Sequence, residues 1–210
     1  MPDQLEPYRA ALEDVAAAAH GAAHDQLGCP LPPIRMQLVA APPGAERLMA
    51  VPPDTVELAV SDPGQLRPPP AGANTIYGVC HEIGHLVLAL ATPRWRQVPV
   101  VWDEAFAHLL AVDVLLPAVW AAHGATLWPD PYPDYPTREL QVPAGSQGLD
   151  GGTMATLERS TTHLRRIAAR VGVAGLLASL GRIAPHQLTV TELGPALRRE
   201  TEGQTPAGSV

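Results

Sequence analysis

The chain contains no lysine: all 14 of its basic residues are arginine, and no basic run occurs. Against 21 acidic residues this leaves a formal net charge of −7. The electrostatic footprint that a phosphate backbone requires is missing, so no nucleic-acid partner is expected. Cysteine is nearly absent too. Cys29 and Cys80 are the only two and do not make a disulfide framework, which points to a reduced, cytoplasmic protein. Long apolar runs are also lacking. The longest, 105–122, is interrupted by His108, Asp113 and Pro117, short of the roughly 18 uncharged residues of a membrane span. The first residues, MPDQLEPYRAALEDVAAAAH, carry acids where a secretory leader carries bases. What is present is a 210-residue chain, 46% hydrophobic, with enough apolar material for one sizeable core. The 24 prolines and abundant alanine accompany the arginine bias as a compositional habit, and no function is read into them.

The pattern along the chain alternates clearly enough to assign elements. Residues 3–27 place Leu5, Leu12, Val15 and Ala19 on one side of a helix. Segments 34–41, 47–51 and 55–61 are short, apolar and bounded by Pro, Gly or Asp, as strands of one small sheet would be. A helix is expected from Asn74 or Thr75 to about Ala91, before Pro93. A second is expected from an Asp103 N-cap to about Leu116, where Pro117 should end or kink it. The Pro/Gly-rich stretch 128–152 reads as a long loop, either lid or linker. Helical patterns follow at 153–171, 173–181 and 189–200, the last opened by a Thr189-x-x-Glu192 capping box. The order predicts an α+β fold: one domain over 1–200, or a sheet lobe 1–127 and a helical lobe 153–200 joined by the loop, with a disordered tail at 201–210.

The chemistry concentrates in GVCHEIGHLVLAL, residues 78–90. On a helix, His81 and His85 lie one above the other and can grip a single ion. Glu82, rotated by about 100°, stands beside that ion, where a carboxylate can take a proton from water. Ile76, Val79, Ile83, Val87 and Leu90 form the opposite, core-facing stripe. With 8 His and 11 Glu in 210 residues, a chance His-Glu-x-x-His is expected in about 1–2% of such chains. A catalytic zinc takes three protein ligands and keeps a position open. Glu104, 19 positions beyond His85 on the next helix, is the third candidate.

His81-Glu82-x-x-His85, eighteen residues and Glu104 together resemble the gluzincin clan of zinc metallopeptidases. The sequence DEAFA around Glu104 is similar to the Asn-Glu-Gly-Phe-Ala of the aminopeptidase N branch. The Gly-x-Met-Glu-Asn signature of that branch is not reproduced by GAER at 44–47. A second resemblance is to ImmA/IrrE-type metallopeptidases, through the small size and VLLP at 114–117. The resemblance implies a zincin-like fold and one Zn²⁺ on His81, His85 and Glu104. It also implies Glu82 as the base and an extended substrate along an edge strand, taken to be 55–61. An oxyanion donor is expected from downstream: His163, with Glu158 to orient it in a thermolysin-like arrangement, or Tyr132 and Tyr135 if the loop closes. His108, one turn after Glu104, either hydrogen-bonds a ligand or is structural. Asp113 is a candidate partner for a ligand's second nitrogen, Tyr77 a residue lining the groove, and Cys80 a small core residue. The expected partner is a peptide or small amide, with no membrane. The rival readings are a zincin-type enzyme for a non-peptide small molecule and a metal-dependent binding or regulatory protein without turnover.

Overall fold

Helix α1 (Pro2–Leu27) buries Leu12, Val15, Ala16, Ala19 and Ala23 at helical spacing. Gly28 ends it at φ 62°, a left-handed conformation natural to glycine. Its N–H and that of Cys29 return to the carbonyls of His24 and Ala23. The computed structural model describes residues 2–62, 73–127 and 151–202. Tyr132, Tyr135, most of the 128–152 segment and the tail beyond 202 lie outside the described residues.

Three strands follow: β1 (Arg35–Ala40), β2 (Arg47–Val51) and β3 (Thr55–Val60), in the order β1-β3-β2. β1 runs parallel to β3, with Gln37 opposite Glu57, and β2 runs antiparallel to it, with Met49 opposite Glu57. The expectation that 55–61 forms an edge is therefore overturned. β3 is central because Val56, Leu58, Ala59 and Val60 need cover on both faces. β2 alternates exposed with half-buried residues, leaves Met49 and Val51 exposed, and takes an edge.

α2 (Ala73–Ala91) lies at the middle of the fold, in contact with α1, β2 and the next helix. Ile76, Val79, Ile83 and Val87 are fully buried, whereas Leu90 is exposed. The histidine side is covered as well: His81 is 1% exposed. α3 (Val100–Leu110) starts after Pro99 with no side-chain cap, so Asp103 is not the N-cap; it lies within the first turn, free to reach sideways. Nor does Pro117 end the helical run. A π-helical turn (Ala111–Leu115) leads into α4 (Leu116–Leu127). In a regular helix the Pro117 ring would strike the carbonyl of Asp113. In the π turn the Leu116 N–H reaches back five residues to Ala111, and the wider coil accommodates the ring. Residues 100–124 are by length and composition apolar enough to cross a membrane, yet most of that surface is buried inside this fold.

α5 (Gly151–Arg182) is broken at Gly172, φ 76°, where the sequence pattern separates two helices. α6 (Leu193–Glu202) is preceded by Thr189, whose Oγ1 accepts the Glu192 N–H at 3.1 Å. One continuous core runs from α1 through Phe106, the only phenylalanine, to Leu164 and Leu197.

The contact that places the site is between α2 and α3. A Cβ on Gly84 would stand 2.8 Å from the Ala107 carbonyl oxygen and 3.0 Å from its Cα. In Gly84→Ala, helix propensity contributes about 1 kcal/mol in favour, while overpacking costs about 1–3 kcal/mol. The obstacle is backbone, which cannot rotate aside, so the upper part of that range applies. A net loss of about 1–2 kcal/mol is expected from urea unfolding of the metal-free protein. An unchanged midpoint would show that the helices separate freely.

Candidate metal centre

The close crossing sets α2 and α3 side by side in antiparallel register. His85 meets Asp103 and Glu104 near one end of the contact; Tyr77, about two turns from His85 on α2, meets His108, one turn beyond Glu104 on α3. Between them, His81 Nε2 is 3.1 Å from Glu104 Oε2, and His85 Nε2 is 3.6 Å from Glu104 Oε1. Ligand atoms of His81, His85 and Glu104 all lie within 4.8 Å of one another. Both imidazoles thus turn Nε2 to the same carboxylate, and their Nδ1 atoms are engaged elsewhere. His85 Nδ1 donates to Asp103 Oδ2 at 3.2 Å, and His81 Nδ1 is 3.4 Å from the Tyr77 hydroxyl. That is the arrangement of metal-ligating histidines, whose second nitrogen is tied down by an outer partner. Two imidazoles and one carboxylate suit zinc and related borderline ions better than calcium or magnesium, which take oxygen ligands. The residues present therefore fit a metal ion.

The electrostatics follow from burial. Burial raises the Glu82 pKa above the usual carboxylate value, against the pull of His85, of His81 and of the Ala50 N–H. For Glu104, burial acts upward, but the His81 hydrogen bond and the two imidazoles overcome it and the net shift is downward. Burial alone would lower His85; the Asp103 hydrogen bond and the charges of Asp103, Glu104 and Glu82 reverse this. His108 is pulled down to about 4, first by burial and then by the charges of Arg165 and His81. It is neutral at physiological pH.

Glu82 stands beside the three-residue group and is not a member of it. Its Oε2 accepts the N–H of Ala50, on edge strand β2, at 2.7 Å, and the side chain is largely buried. Asp103 carries a further mark: its Oδ1 is buried with no hydrogen-bond partner among the described residues. Such a group costs about 1–3 kcal/mol and is rarely tolerated without a use.

Several candidates lie elsewhere. His163 is on α5, where its ring faces Trp102 and its Nε2 bonds the Gly194 carbonyl at 3.0 Å. Trp102 precedes Glu104 by two residues, about 200° around α3, so His163 belongs to the far side of that helix. Glu158 is exposed and does not orient it. Asp113 does not reach a histidine ligand either; both its oxygens bond Arg165, at 3.1 and 3.2 Å. The outer carboxylate is Asp103, which sequence reasoning assigned to helix capping. The Asp-Glu dipeptide carried a usable signal, since adjacent acids on a helix diverge by about 100° and can serve two nitrogens of one imidazole. Tyr77 does more than line a groove: its hydroxyl is 2.9 Å from His108 Nδ1. Cys80 is fully buried, with its thiol pKa pushed upward by desolvation. Comparison with known proteins finds no family model that matches the chain, and no similar curated protein or solved structure.

Proposed function

We propose that this chain is a zinc-dependent, gluzincin-like metallohydrolase that cleaves an amide bond, with peptides as the preferred substrate class. The observation that carries the reading is Glu82, a buried carboxylate fixed beside the three-ligand cluster without joining it. A metal with a purely structural role has no use for such a group. Zinc held by His81, His85 and Glu104 would supply Lewis acidity, polarising a carbonyl and acidifying water. Glu82 would act as general base. Its raised pKa brings it nearer the working range of a proton acceptor, and the Ala50 N–H fixes one oxygen while leaving the other for the transfer. The same bond joins the base to edge strand β2, along which an extended peptide can pair. That adjacency favours a peptide over a small amide. Tyr132 and Tyr135 are the candidates for an oxyanion donor, since His163 is committed to Gly194.

The test begins with elemental analysis of protein purified without added metal, followed by assays on a panel of peptides and small amides before and after chelation. About one zinc per chain is expected, with peptide hydrolysis that chelation removes and zinc restores. A metal-free protein, or one carrying iron, overturns the zinc reading. A full complement of zinc with no turnover of any amide leaves a metal-dependent binding protein.

A further inference from the structure

Resting on the metal reading above, we infer that Tyr77 and His108 are positioning residues for His81. They form a one-way chain in which His81 Nδ1–H donates to the Tyr77 oxygen and the Tyr77 hydroxyl donates to His108 Nδ1, leaving His81 Nε2 for the ion.

The ligating form of His81 gives the chain its direction. Of Tyr77's contacts to the two histidines, that to His108 is the shorter, 2.9 Å against 3.4 Å to His81, and a phenol has one hydrogen to donate. His108 is neutral and therefore carries one ring proton; with that proton on Nε2, Nδ1 is an acceptor and draws the hydroxyl hydrogen to itself. The Tyr77 oxygen can then accept from His81. A ligating His81 has its lone pair on Nε2 and its proton on Nδ1, the one form that can donate to that oxygen. All three side chains are buried, at 3%, 1% and 9% exposure, so water does not compete for these positions.

The two histidines of the cluster are thus oriented by unlike partners. His85 has a carboxylate, Asp103. His81 has a neutral hydroxyl backed by a neutral imidazole. A second carboxylate would neutralise more of a bound ion's charge, whereas the neutral chain would fix the ring and leave more of that charge to polarise a substrate group. The chain needs both helices: Tyr77 lies one turn before His81 on α2, and His108 one turn after Glu104 on α3.

Zinc affinity, measured by competition with a chromophoric chelator, tests this in the full chain with Tyr77→Phe, His108→Ala, His108→Asn and the Tyr77→Phe/His108→Ala double variant. Tyr77→Phe and His108→Ala are expected to bind zinc about 10–100-fold more weakly. His108→Asn, whose Oδ1 can accept in place of Nδ1, should bind close to wild type. The double variant should be no worse than Tyr77→Phe alone, because the two residues act in series. Long-range ¹H–¹⁵N spectra of the zinc-loaded protein should show His108 protonated on Nε2 and His81 on Nδ1. Wild-type affinity in Tyr77→Phe, additive losses in the double variant, His108→Asn as weak as His108→Ala, or a His108 proton on Nδ1 would each overturn the chain while leaving the metal site standing. A wild type that takes up no zinc overturns the site and the chain together.

Discussion

Glu82→Gln is expected to keep one zinc per chain and to lose amide hydrolysis by about 10²–10⁴-fold, the contribution of a positioned general base. Glutamine has nearly the shape of glutamate, and its amide oxygen can still accept the Ala50 N–H that Glu82 accepts at 2.7 Å. Only the capacity to take a proton is removed. Folding should not suffer. Burial is the largest influence on the Glu82 carboxylate and opposes its charge, so a neutral amide avoids that desolvation cost. The melting temperature of the metal-free variant should equal or exceed that of wild type. Zinc content by elemental analysis and initial rates on the best peptide decide the matter. Hydrolysis that stays within tenfold of wild type, with zinc bound, removes Glu82 from the mechanism.

Glu104→Ala acts on the ion itself. Removing the carboxylate leaves His81 and His85 as a two-ligand pair, and zinc affinity should fall by more than the about 10–100-fold that an outer-shell partner costs. The metal-free protein loses something too, because Glu104 accepts from His81 at 3.1 Å and lies within 3.6 Å of His85. Alanine would leave a buried imidazole nitrogen of His81 without that partner, at about 1–3 kcal/mol. Comparing Glu104→Ala with Glu104→Gln separates these effects: the amide restores most of the packing and remains a poor ligand. If zinc binds Glu104→Ala as tightly as wild type, the third ligand lies elsewhere and the gluzincin spacing of 81, 85 and 104 is coincidental.

What could be read from the sequence was what is encoded within a single element. α1, the three strand segments, α2 and the break at Gly172 follow from periodicity and from Pro and Gly positions. His81, His85 and Glu104 were legible as a set because two of them share a helix face and the third follows at a spacing that one short loop can close. A group able to hold a metal ion was thus expected at these residues, whereas the identity of the ion and the reaction rest on the proposal. What was not legible depends on which elements touch. Strand order is decided by competition for cover, which put β3 and not β2 in the centre. Asp103 reads as a helix cap until α3 is seen to begin at Val100 and the carboxylate to meet His85. Tyr77 and His108 are 31 residues apart, and only the register of two helices brings them together. Asp113 and His163 read as candidates on spacing alone, but the packing of α5 supplies Arg165 to the first and the Gly194 carbonyl to the second.

The π turn at Ala111–Leu115 makes the long helical run hold one residue more than an uninterrupted α-helix would need between the same two ends. That surplus residue works as a phase adjuster. Each residue of an α-helix advances the next side chain by about 100°, so the extra one re-aims everything downstream relative to α3. Upstream, α3 has to face α2 with Glu104 and His108; downstream, α4 has to face α1 with Leu116 and Val119. These two requirements are out of step along a straight helix, and the wide turn reconciles them. Shortening this segment by a single residue would remove the wide turn, press the Pro117 ring against the carbonyl four residues before it and turn the buried side of α4 away from α1. The length of the run between Glu104 and Val119 is thereby as tightly constrained as its composition.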